Sequence, residues 1–131
     1  MDSYHVGSGA TGVTLSVAVS TPGIADTDPA LVKGATSTDL NCISGPTGNL
    51  NNVPVGLPTA LQGQNLQIST LIDLQSVSSG LWPTMFSSLV IHYSISGGAD
   101  GTKVFTLVDT EKSKDTTGQF VKAIKTINLV Q

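Results

Sequence analysis

Val13-Thr14-Leu15-Ser16-Val17-Ala18-Val19-Ser20 alternates apolar residues with small or polar ones along its whole length. A period of two places Val13, Leu15, Val17 and Val19 on one face of a β-strand and the intervening residues on the other. Thr21-Pro22-Gly23 then ends the run with turn residues. Two further stretches read the same way. In Asn65–Val77, Leu66, Ile68, Thr70, Ile72 and Leu74 share a face. In Leu89–Ser96, Leu89, Ile91, Tyr93 and Ile95 do, with His92 opposite.

The C-terminal third reads as a meander. Gly97-Gly98-Ala99-Asp100-Gly101 is a turn, Thr102–Asp109 its return strand, and the polar segment Thr110–Gly118 a second turn. Gln119–Val130 fits two patterns. Phe120, Val121, Ile124 and Ile127 make a helical stripe, whereas Val121, Ala123, Ile127 and Leu129 make a strand with Lys125 out of phase. Its β-branched second half and the preceding hairpin turn favour the strand.

Other segments are less regular. Met1–Gly12 reads as a Gly/Ser-rich N-terminal arm, which if ordered must pack on its own domain or on a neighbour. Ile24–Pro29 reads as a loop, and Ala30–Lys33 and Thr38–Ile43 as weak strands. Ser44–Gly63 holds four glycines, three prolines and three asparagines. It reads as a long irregular connection, pinned to the body by Val53, Val55, Leu57 and Leu61 through a short edge strand that tolerates proline. Ser78–Ser87 is a connector containing an apolar knot, Leu81, Trp82, Pro83, Met85 and Phe86.

The 131 residues fit one domain, with a core built from Val, Leu and Ile because only six aromatic residues are present. The expected fold is an all-β, antiparallel β-sandwich of jelly-roll or immunoglobulin-like type, with a partly open barrel as the alternative. No internal repeat is evident.

Charge excludes one function class. The chain carries no arginine, its six lysines are outnumbered by nine acids, and the net charge is −3. Residues 1–102 hold a single lysine, Lys33, against six aspartates. Nucleic-acid binding needs clustered cations, with arginine as the usual reader of bases and phosphates, so no nucleic-acid partner is expected. No apolar run approaches the ~18 residues of a membrane span. The N-terminus lacks the basic and apolar regions of a signal peptide. One cysteine, Cys42, rules out an internal disulfide and a cysteine-based zinc site. Low charge with abundant Ser, Thr, Asn and Gly suits an extracellular, cell-surface or virion protein by compositional analogy, and no N-x-[ST] acceptor is present.

Chemistry-bearing motifs are sparse. Gly7-Ser8-Gly9-Ala10-Thr11-Gly12 matches G-x-G-x-x-G. A dinucleotide site needs a strand before those glycines and a helix after them, and a strand follows here. His5 and His92 are the only histidines. A Cys42–His92 dyad lacks an elbow motif, and paired aspartates for glycoside hydrolysis have no distinguishing spacing. Asp26 and Asp28, with Asp100 from another loop, are weak metal-ligand candidates beside their ordinary role in turns. No cofactor is implied.

The binding candidates are Trp82, Met85 and Phe86, together with the Asn49, Asn51 and Asn52 loop. Loop aromatics anchor a protein partner or stack on a sugar, although they also plug the end of a sandwich. The leading expectation is a non-catalytic structural or interaction protein that self-associates or binds a protein partner. Small neutral strand faces, low charge repulsion and β-edges motivate it. A glycan-binding module using Trp82, Phe86, Tyr93 and the asparagines is the second expectation. A small hydrolase using His92 or paired aspartates is the third.

Overall fold

The structure is a computed structural model describing residues 2–131. In chain order its strands are β1 (Asp2–His5), β2 (Val13–Ser20), β3 (Ile24–Lys33), β4 (Thr36–Asp39) and β5 (Leu50–Gly56). They continue as β6 (Asn65–Asp73), β7 (Val90–Gly98), β8 (Gly101–Thr106), β9 (Lys112–Lys114) and β10 (Phe120–Val130). Two short helices interrupt them, α1 (Pro58–Leu61) and α2 (Trp82–Ser88). Strands hold 55% of the residues, and helices, counting the short 3-10 turns at Ser79–Leu81 and Asp109–Glu111, hold 13%, so the fold is all-β.

Two sheets form a sandwich, and no closed barrel exists among the described residues. The larger sheet runs β1-β10-β6-β3-β4, with β9 also paired to β10; the smaller runs β5-β2-β7-β8. One apolar cluster fills the space between them. The alternating residues supply it as expected: Val13, Leu15 and Val17 from β2, Leu66, Ile68 and Ile72 from β6, and Ile91, Tyr93 and Ile95 from β7 are buried. Thr70 sits on the same inward face, and its hydroxyl pairs with that of Thr27 at 3.0 Å. A buried hydroxyl costs little once bonded.

The N-terminal arm contains a strand at residues 2–5, and residues 6–12 remain irregular. Residues 2–5 lie parallel to β10, with Asp2 opposite Ile127 and His5 opposite Val130. Tyr4 explains the order. It is fully buried, its hydroxyl donates to the Gly101 carbonyl, and it accepts from the Gly98 amide at 2.9 Å. The G-x-G-x-x-G stretch is therefore a link between strands. A strand does precede it, but β2 follows where a dinucleotide fold needs a helix.

Ile24–Pro29 is not a loop; it is the first half of β3. Ala25, Thr27, Pro29 and Leu31 face inward, with Asp26 and Asp28 outward. The Pro29 carbonyl accepts from the Leu40 amide, so the proline's missing N–H points to the same side, just beyond the β4 ladder. No bond to β6 is lost there. Thr38–Ile43 shortens and shifts to Thr36–Asp39.

Within 44–63, β5 is an edge strand that takes Pro54 next to β2 through an irregular register. Val55 and Leu61 are buried there, but Leu57 is exposed. Gln119–Val130 resolves as strand. Lys125 is not out of phase: Val121, Ala123, Lys125, Ile127 and Leu129 all face inward, and Lys125 is 2% exposed.

Candidate functional site

Trp82, Met85 and Phe86 fall on α2 at helical spacing and pack half-buried against the core. The Trp82 indole N–H donates to the carbonyls of Leu74 and Val77 at 2.9 and 3.0 Å. Lys112 and Lys114 place their ammonium groups 4.8 and 5.1 Å from the centre of the Phe86 ring. Their own cross-strand partners explain this, since Lys112 pairs with Ala123 and Lys114 with Val121, both inward residues. Phe86 is thus covered by cations of its own chain. Tyr93, named with these aromatics for sugar stacking, is fully buried and offers no ring face to a ligand.

The asparagines serve the fold around β5. The Asn49 side chain accepts from the Val19 amide at 2.8 Å, and Asn52 takes a positive φ of 48° with its amide bonded to Ser16. Asn51 is exposed. No hydrogen bond among the described residues joins these asparagines to α2.

Asp26 and Asp28 project from β3 towards solvent beside Asp39. Desolvation, then Asp39 and Asp26, push the Asp28 carboxyl above its usual range. Asp100 does not join them. It accepts from the His5 amide at 2.8 Å and sits 3.0 Å from the His5 ring. No group of three metal-ligating side chains forms among the described residues. His92 lies exposed on the smaller sheet, its ring 3.3 Å from the Thr106 hydroxyl.

Two features were missed in the sequence. The first is an apolar triangle on the outer face of the larger sheet, with Asp73 between two of its corners. Ile24, Leu71 and Phe120 come from three adjacent strands and are 56%, 51% and 40% exposed. Register places Asp26, Leu71 and Lys122 in one cross-strand row, and Ile24, Asp73 and Phe120 in the next. A shallow cleft of about 260 Å³ runs beside Leu71, Phe120 and Lys122.

The second feature is an ionic cluster at the sheet edge. β9 and β1 pair with the same side of β10, β9 as far as Ala123 and β1 from Ile127 onward. Between them the described residues leave β10 without a neighbour strand on that side, while β6 pairs with it on the other. A cleft of about 440 Å³ occupies that notch, with Glu111, Ile124 and Thr126 in its walls. Lys125 reaches its Nζ to Asp2 Oδ2 at 2.5 Å, Glu111 Oε1 at 3.1 Å and the Thr106 carbonyl at 3.0 Å. Burial alone would lower the ammonium's pKa; its bonds to Asp2 and Glu111, with their charges, outweigh that and raise it. Nearby stands the buried Tyr93 hydroxyl, without a hydrogen-bond partner. Burial first, and then the Glu111 charge, push this phenol far above its usual range.

Neither a family model, nor a curated protein, nor a solved structure matches this chain.

Proposed function

We propose that the protein is a non-catalytic interaction module that self-associates through the outer face of its larger sheet. The exposed Ile24, Leu71 and Phe120, set around Asp73, support this reading. Sheet faces turned to water normally alternate to polar residues, and large apolar side chains grouped on such a face mark a contact surface.

The occupant is argued from charge. Asp26 and Lys122 flank Leu71 on opposite sides within one row. A two-fold axis running along the strand direction and lying over β6 keeps each row in place and exchanges its two ends. Asp26 of one copy then meets Lys122 of the other, Leu71 meets Leu71, and Ile24 meets Phe120. A two-fold contact must be self-complementary in this way. An axis across the strands over that row would set Asp26 against Asp26 and Lys122 against Lys122, two like-charge pairs against the single Asp73 pair of the first axis, and is disfavoured.

Sedimentation or light scattering over a concentration series tests the reading. Dimers are expected for the unaltered chain. Asp26→Lys and Lys122→Asp should each weaken self-association, while an equimolar mixture of the two variants should form a heterodimer. A strict monomer at every concentration, or a dimer indifferent to both reversals, overturns the proposal.

A further inference from the structure

We propose that Lys125 and Asp2 are the site of a self-formed isopeptide bond, with Glu111 as the proton carrier. The inference is independent of self-association. It begins with a strand pairing. β1 lies parallel to β10 with Asp2 opposite Ile127, so Asp2 projects to the inward face two residues along from Lys125. An amine and a carboxyl group from opposite ends of the chain are thereby in contact, Nζ to Oδ2 at 2.5 Å. Holding two reacting groups this way makes the reaction effectively unimolecular.

Lys125 is 2% exposed, and its charged neighbours are two carboxylates, from β1 and from the turn 109–111 before β9. A structural ion pair needs one carboxylate. The second, Glu111, uses one oxygen, Oε1, to accept from the Val108 amide at 2.9 Å and from the same Nζ at 3.1 Å. That is hydrogen-bond reach for a group that moves protons.

The step balances within the cluster. Lys125 passes one proton to the Asp2 carboxylate, giving a neutral amine beside a neutral acid with no change of net charge. The exchange runs uphill, because the two carboxylates hold the ammonium charged, and the 2.5 Å contact lets the proton cross within the pair. The Nζ lone pair attacks Asp2 Cγ to form a tetrahedral centre. Glu111 takes the second proton from nitrogen and delivers it to the departing hydroxyl. The Cγ–O bond breaks, the Nζ–Cγ amide remains, and one water leaves. The notch beside Glu111 opens a path for that water. No oxidant, metal or cofactor is consumed.

Intact-mass measurement of the purified, denatured full chain tests this. The expected mass is that of the sequence less one water. Trypsin should then yield residues 1–33 covalently joined to residues 123–131, because an acylated Lys125 is not cleaved. Asp2→Asn should lose one ammonia instead of one water, since its leaving group differs. Lys125→Arg should show the full sequence mass. Glu111→Gln, checked for folding by circular dichroism, should accumulate unreacted chain. Full sequence mass in the unaltered, folded protein overturns the proposal. So does a water loss that survives Lys125→Arg, which would mean ring closure at Asp2 alone.

Discussion

Gly98 shows how tightly single residues hold this fold. A Cβ there would stand 2.6 Å from the Tyr4 ring and 2.9 Å from the His5 carbonyl, so β1 can pass beneath the β7–β8 hairpin only if this residue has no side chain. Gly98→Ala must push β1 outward, and overpacking of that kind costs about 1–3 kcal/mol. Urea unfolding should show the loss, with a larger fall than for Gly80→Ala, where a Cβ meets nothing. Asp28 carries the opposite lesson. Desolvation and the neighbouring Asp39 and Asp26 raise its pKa in the folded state above the unfolded value. A carboxyl group so raised binds its proton more tightly when folded, so its ionisation subtracts stability above the folded pKa and subtracts nothing below the unfolded one. Asp28→Asn should therefore raise the melting temperature at pH 7 and leave it nearly unchanged once both forms are protonated in acid. A gain that persists undiminished in acid would contradict this cause.

Elements differed in how far they could be read, for reasons visible in their inward residues. β2, β6 and β7 present aliphatic or aromatic side chains at every second position except Thr70, and the alternation identifies them. β3 presents Ala25, Thr27 and Pro29, which are small, polar or ring-constrained, while its outward Asp26 and Asp28 resemble turn residues. β1 is four residues long and depends on β10, more than a hundred residues away, so no local pattern marks it. β10 concealed its phase because a lysine inside a sheet is legible only when its carboxylate partners are known. The α2 aromatics were readable as either plug or binding surface, and their packing places them half-buried at helical spacing. Trp82 anchors that helix through two carbonyls and contact with the core. Trp82→Ala should cost about 2–3 kcal/mol, less than the loss of a fully buried aromatic because Trp82 is half-buried. Trp82→Phe should keep most of the packing and cost about 1 kcal/mol for the hydrogen bonds. Equal losses in denaturant unfolding would show that the indole N–H, and not packing, fastens α2.

At the scale of the whole molecule, both proposals concern how the chain is held closed and how copies meet. An amide between residues 2 and 125 would bind the first strand to the last, and closing a loop of that size is worth about 4–5 kcal/mol in chain entropy. Lys125→Arg should lower the melting temperature well beyond the effect of breaking an ion pair. Neither end of this cluster was legible as a site, because Asp2 and Lys125 are brought together only by a parallel pairing of the termini. The outer-face apolar group was illegible for a related reason: Ile24, Leu71 and Phe120 lie on three strands whose register is fixed only by the sheet. That register also contains a flaw. The two-fold axis that sets Asp26 against Lys122 also sets Asp73 against Asp73, in the row between Ile24 and Phe120. Asp73 is partly occupied, accepting from Gln119 and from the Gln75 amide, but it keeps its charge close to the interface. Like charges set against each other across an interface cost up to several kcal/mol. Asp73→Asn retains the acceptor oxygen for both bonds and removes the repulsion, so it should tighten the dimer at least about fivefold. The gain should shrink as added salt screens the pair. Weaker association of Asp73→Asn, or a gain independent of salt, would place the axis elsewhere on the sheet.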